Sequence, residues 1–375
     1  MLLKKSFIIL FLLTYLQLEL YAQLDNTPFE KEVKIDSSRA EKFTFNFRAL
    51  GFNKNNEYYN VINEGQTYFG YRVIPSIGWQ FQENFKIEGG IFLHHDFGNS
   101  QLRRVLPYFN FLYTFNDFEL LFGNINGSIH HRQIEPMEDF ERVMYDVPEQ
   151  GIQIRRIRKN SFFDAWVNWE TMIYQGSDFQ EDISGGLVYE RAIWQNERNS
   201  IRGHYEFKGY HTGGQIDAVT DEPLVILFNN SFGLKWIQKI DGKHLNNYFL
   251  EGHFLHFTDN SFTPQLAYEE GYGVYLNGQV STSFGDFMLS YWYGDHFYSY
   301  KGGGLYQSVT RNFNSIRVED VRQLLILRVL NEIKIGEGTN LVLRFEPHVD
   351  LQNKRFEFSH AFYFNVFKTL GLGKE

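Results

Sequence analysis

From about residue 42 to its end the chain alternates apolar and polar residues with a period of two, the signature of strands with one apolar face. The clearest stretch is 68–81. There Phe69, Tyr71, Val73, Pro75, Ile77, Trp79 and Phe81 share one face, and Arg72, Ser76, Gly78 and Gln80 share the other. Residues 42–52 repeat the pattern with Phe43, Phe45, Phe47 and Ala49. It predicts strands over 42–52, 68–81, 85–95, 104–115, 118–126, 151–158, 161–170 and 182–194, then 200–210, 224–239, 245–257, 271–284, 286–298, 321–336, 340–350 and 354–367. The segments are roughly eleven residues long, enough for a tilted strand to cross a bilayer.

The gaps alternate between tight and long. Tight turns follow Gln82 and fall at Asn116-Asp117, Arg158-Lys159-Asn160, Gln195-Asn196-Glu197, Asp241-Gly242-Lys243, Gly285-Asp286 and Gly336-Glu337-Gly338. Several carry the residue types that two-residue hairpins favour. Long gaps fall at 53–67, 96–103, 127–150, 171–181, 211–223, 258–270 and 299–320, and only the last hairpin, near 351–353, is short where a long loop is expected. Short turns at one end and long loops at the other describe an all-β, transmembrane, antiparallel up-and-down β-barrel of about sixteen strands in a bacterial outer membrane. A soluble sandwich would place a mixed aliphatic face inside and a polar face outside. Here the apolar face is aromatic in nearly every strand.

Composition supports that reading. The chain has 38 Phe, 23 Tyr and no cysteine. The aromatic excess fits strand preference and the girdles of such barrels, and the missing cysteine excludes disulfides, thiolate metal sites and a lipoprotein anchor. Mean hydropathy is -0.37, as low as in a soluble protein, because a barrel hides its apolar residues in every second position. Residues 1–22 read as a signal peptide: Lys4 and Lys5, then the apolar run Phe7–Leu13, then Ala22 before the cleavage point. Residues 23–41 are polar and read as a periplasmic tail, leaving 42–375 as the barrel. A net charge of -9 argues against nucleic acid as a partner. Outer-membrane lipid and small hydrophilic solutes are the expected partners, with a homo-oligomer or an envelope protein as further candidates.

The face opposite the aromatics carries charge: Arg72, Lys86, Glu88, Glu119, Asp164, Glu170, Arg202, His204, Glu206, Lys208, Glu251, His253, Arg328, Glu332, Arg344 and Glu346. A charge within a membrane span needs water or a partner. As a set these residues predict a water-lined lumen, which a barrel of this size has room for. The longest gap, 127–150, retains Ile134, Met137, Val143 and Met144 among many acids, and Pro136 precedes a possible short helix. A long loop with apolar residues is expected to pack against something.

This layout of leader, about sixteen strands, short turns and a long third outer loop resembles the general bacterial porin family. The resemblance implies that the third loop folds into the barrel and narrows its pore. Glu135, Glu138, Asp139 and Glu141 would then be loop acids facing Arg72, Arg202, Arg328 and Arg344 on the wall. Lys86, Glu88, Glu206, Lys208 and Glu346 complete the expected lumen lining.

No GxSxG, P-loop, GxGxxG, HExxH or EF-hand pattern occurs. The expectation is therefore a channel for passive diffusion, with no catalysis, cofactor or metal. One alternative is a plugged barrel serving an envelope complex. The other is a rim hydrolase built on His95 and Asp96 with Ser100, although adjacent strand residues such as His94 and His95 point to opposite faces.

Overall fold

The computed structural model describes Leu24 and residues 26–214, 223–310 and 316–372. The predicted leader, 1–22, lies outside the described residues. Sixteen strands follow in order: β1 (Lys42–Glu57), β2 (Thr67–Gln82), β3 (Phe85–Asp96), β4 (Arg104–Phe115), β5 (Phe118–Asn124), β6 (Gln150–Arg158), β7 (Ser161–Thr171) and β8 (Asp182–Gln195). The second half comprises β9 (Asn199–Thr212), β10 (Val225–Lys239), β11 (Leu245–Asp259), β12 (Glu270–Thr282), β13 (Gly285–Asp295), β14 (Val321–Gly336), β15 (Thr339–Asp350) and β16 (Arg355–Leu372). Each pairs antiparallel with its sequence neighbours, and β1 closes the barrel on β16. All sixteen predicted strands are present, and the barrel places the protein in the bacterial outer membrane.

Some boundaries differ. β16 runs past Phe367, and its last residues pair with the start of β1, Leu372 opposite Phe43. β1 continues to Glu57, which brings Lys54 and Asn56 onto the inner face. β5 is shorter than predicted. Gly123 has φ +92°, and a Cβ there would lie 2.4 Å from the Phe109 carbonyl oxygen, so the chain bends out of the sheet. β13 ends at Asp295, and Phe297 and Tyr298 are buried.

The phase of the alternation is that of the sequence. Phe69, Ile77 and Trp79 are exposed toward lipid, while Arg72, Ser76 and Gln80 on the same strand are buried inside. Aromatic rings pack along the rim with the tight turns: Trp79 on Phe81 at 4.8 Å, Phe81 on Phe85 at 4.0 Å, Tyr113 on Phe115 and Phe115 on Phe118 at 5.7 Å. This is the girdle expected where headgroups meet the barrel. Tight turns mark the periplasmic end.

Leu276, at the middle of β12, is exposed on the lipid face. Leu276→Arg should lower unfolding stability in lipid vesicles by about 2–4 kcal/mol, the cost of a charge near the bilayer midplane. An unchanged denaturation midpoint would mean that this position does not face lipid.

Candidate functional site

A sixteen-strand barrel is too wide for its own side chains to fill. Here two segments fill it. Within the segment 23–41 expected as a periplasmic tail, residues 26–35 run inside the barrel instead. Phe29 packs on Tyr363 of β16 at 4.4 Å, Val33 is buried, and Glu32 pairs with Arg155 of β6 at 2.7 Å. The third outer loop, residues 125–149, also lies inside, with a 3₁₀ turn at Ser128–His131 and a helical turn, α1, at Arg142–Tyr145. Asn126 ties the two together. Its Oδ1 accepts from Val33 N at 2.8 Å and its Nδ2 donates to Val33 O at 3.1 Å, while Gln153 of β6 brackets its backbone.

Ion pairs between loop and wall dominate the interior. Glu135 accepts from Arg328 of β14 and from Arg344 of β15 (3.0 Å). Both arginines also pair with Glu346, at 3.0 and 2.6 Å. Lys54 lies between Glu346 (2.8 Å) and Glu141 (3.2 Å). Glu138 pairs with Lys208 of β9. Hydrophobic contacts accompany the charges, since Phe140, Val143 and Met144 join a core with Phe29, Phe52 and Tyr363.

The remaining lining residues are also engaged. Arg72 donates to the Val143 carbonyl. Glu88 is bound by Arg48 and by Lys86 at 3.3 Å, and Arg202 donates to Glu190 at 2.5 Å. Glu206 accepts from Ile134 N at 3.1 Å. Arg328 and Arg344 are each 2% exposed and Glu206 is 0% exposed. Much of the face expected to meet water is thus buried, and many of its charges are paired. Several wall charges that water would have solvated are met instead by the loop and the tail. Of the four loop acids Asp139 and Glu141 lie only partly buried, and Asp139 accepts from Glu141 N at 2.9 Å.

His131 latches the loop base. Its Nδ1 is 2.8 Å from Asp164 of β7 and its Nε2 is 2.8 Å from Glu149, with its ring stacked on Trp166 at 3.5 Å. Burial works against its charge, but Asp164 and then Glu149 outweigh it, so its pKa is raised. Glu30, in the tail, is pushed up to about 7 by burial, with Arg72 opposing.

Two cavities open at the loop end of the barrel, on either side of the third loop. One, about 380 Å³, lies between the end of β1, the loop and the segment 303–310. Asn56, Tyr68, Arg103, Asp139, Glu141 and Tyr145 are on its wall. Asn56 Nδ2 donates to both Glu141 oxygens, at 3.0 and 3.3 Å. The second, about 570 Å³, is bounded by Arg103, Arg104, Arg142, Asp146, Glu170 and Lys301. Both are concave and lined mainly by polar side chains. The rim arrangement proposed for His95 does not assemble. Its Nδ1 lies 3.1 Å from the Gln101 carbonyl oxygen and its ring tilts on Tyr71, whereas Asp96 is held by His94 (2.9 Å) and Arg103 (3.0 Å). Ligand types suited to a metal ion gather elsewhere, at His204, Glu206 and His253 on the inner face of β9 and β11.

The sequence reading missed Asn56, Lys54, Arg103, Arg48 and Arg155. Lys54 and Asn56 fall beyond the predicted end of the first strand. Arg155 sits at an inward position of its strand, where alternation alone was enough to place it.

A family model described as lipid A 3'-O-deacylase-type matches residues 35–375, nearly the whole chain. Among curated proteins none matches. Of solved structures, the outer membrane protein OprD from Pseudomonas aeruginosa is 10% identical with a TM-score of 0.51, covering 89% of this chain and 97% of that one. In-vitro folded OmpT of Vibrio cholerae is 6% identical with a TM-score of 0.50, covering 90% and 100%. At these identities the likeness is one of fold. The expectation of a chain without enzymatic activity is overturned by the family match, because that family is described by a deacylation.

Glu135→Ala should destabilise the folded barrel by about 3–5 kcal/mol, since it leaves two buried arginines to one carboxylate. Urea unfolding in detergent measures this, and a loss below measurement error would show that the cluster does not hold the loop. The His131 latch gives a pH dependence of known sign. A pKa raised on folding stabilises fully below the unfolded value, about 6.5, and its contribution fades as pH rises through the folded value. Hydrogen exchange of residues 127–149 should therefore quicken as pH is raised from about 6.5 through the raised folded value, beyond the intrinsic rate change. His131→Gln should remove that excess, and equal excess in both proteins would contradict the latch.

Proposed function

Because the chain belongs to the lipid A 3'-O-deacylase-type family, we propose that it removes an ester-linked acyl chain from lipid A in the outer leaflet. The observation that carries this reading is the extent of the match, which spans the barrel from before β1 to the end of β16. The filled interior supports it as well. A barrel whose wall charges are consumed by its own loop and tail is a scaffold more than a conduit.

The outer vestibule beside β1 suits the chemistry. Lipid A presents a phosphorylated, anionic headgroup at the membrane surface, and Arg103 and Arg104 stand exposed at the β3–β4 edge, where an arginine fork fits a phosphate. Ester hydrolysis needs water activated by a base within hydrogen-bond reach. Asp139 and Glu141 are the loop's two partly buried carboxylates among the five on that wall, with Asn56 and Lys54 orienting Glu141. In this reading one of them takes the proton of the attacking water. The ester carbon–oxygen bond then breaks and the protonated carboxyl returns its proton to the departing sugar oxygen, giving a fatty acid and a sugar hydroxyl. A second reading, passage of small hydrophilic solutes, draws on the barrel fold and the two vestibules. It requires the third loop to leave the wall, against its buried ion pairs.

Mass spectrometry of lipid A from a Gram-negative host expressing the protein tests the first reading. One ester-linked acyl chain should be lost. The combined Asp139→Asn and Glu141→Gln variant, still folded in the membrane, should restore the acylated species by 10²-fold or more, on the order of a general-base contribution. Lipid A unchanged by the wild-type protein would overturn the reading. Deacylation that persists in the variant would move the site elsewhere.

A further inference from the structure

We propose that the inner wall between β9 and β11 holds a divalent transition-metal ion of the zinc class, bound by His204, Glu206 and His253. Strand register brings the ligands together. His204 on β9, Gly233 on β10 and His253 on β11 lie at one level, each opposite the next. All three positions face inward, so the middle strand would normally put a side chain between the two imidazoles. Gly233 removes it. A Cβ there would lie 2.3 Å from Cε1 and 2.4 Å from Nδ1 of His253. The rings consequently meet across β10 with centroids 5.3 Å apart. One ligand atom from each of His204, Glu206 and His253 lies within 4.8 Å of the others.

The free valences of the cluster point to a missing cation. Neither nitrogen of His204 makes a hydrogen bond, and its Nδ1 stands 3.5 Å from Glu206 Oε1, which makes none either. His204, Glu206 and His253 are 6%, 0% and 3% exposed, and orphaned polar atoms this deep are costly and rare. Each remaining contact aims a free atom inward. Ser231 Oγ is 3.0 Å from His253 Nδ1, so Nε2 is the nitrogen left for the carboxylates of the cluster. The Ile134 amide occupies Glu206 Oε2 and leaves Oε1. Glu251 Oε1 lies 3.1 Å from His253 Nε2, within reach of a fourth position, and its Oε2 is steadied by Asn277 at 3.4 Å. Two imidazoles with carboxylates are the donor set of zinc and its neighbours, while calcium and magnesium favour all-oxygen sites. The Ser231 contact is the outer-shell support that metal-bound histidines use. Because Ile134 belongs to the third loop, an ion here would join the wall to the segment that fills the barrel.

The test uses the full chain, folded and purified in detergent without chelator, then dialysed against zinc. Elemental analysis should find one zinc per chain, and cobalt substituted for it should give the visible absorption and imidazole hyperfine couplings of nitrogen ligation. His204→Gln with His253→Gln should abolish binding. Ser231→Ala, which keeps all three ligands, should weaken it by 10- to 100-fold. No zinc in the wild-type protein overturns the proposal. So does full binding by the double variant, or cobalt without nitrogen couplings, which decides the matter even if the variants fail to fold.

Discussion

The pairing of Glu135 with Arg328 and Arg344 is the interaction on which the interior depends. The three charges come from the third loop and from two strands far along the chain, and each is almost wholly removed from water. A buried ion pair contributes little net stability against an apolar replacement, but losing one partner is severe. Once strand alternation had placed arginines at inward positions of β14 and β15, an acid had to meet them. The loop supplies it, and Lys54, Glu141 and Glu346 extend the same constraint to β1. The tail then completes the filling through Asn126 and Arg155.

That constraint explains why the fold was legible and the interior was not. Periodicity is local, so every strand from Lys42 onward could be read, with errors where the chain bends for three-dimensional reasons: Gly123 at the end of β5, and the pairing that carries β16 to Leu372. Charge pairing is not local. Lys54 and Glu346 are 292 residues apart, and nothing in either segment names the other. Charges in a membrane span need water or a partner, and sequence alone favoured water. The tail offered a weak signal in Phe29, Val33 and Ile35, three apolar residues in a polar stretch. All three are buried or half-buried inside.

The candidate reaction site divides similarly. Asp139 and Glu141 stand out in sequence as acids of the long loop. Asn56 and Lys54, the partners of Glu141, depend on how far β1 extends, and Arg103 reaches the same cavity wall only through the turn of the β3–β4 edge. No motif marks an esterase here, so the enzymatic reading came from the family match and not from the residues. His204 and His253 look like isolated wall residues in sequence, and only the register across Gly233 makes them neighbours.

The central claim is that, among the described residues, buried ion pairs hold the third loop against the inner wall of the barrel. Single-channel recording of the purified protein in a planar bilayer tests it most directly. The account predicts a tight bilayer, with steady conductance appearing only when Glu135, Glu138 and Glu141 are replaced together by alanine. Steady, large conductance from the wild-type protein under the same conditions would contradict it.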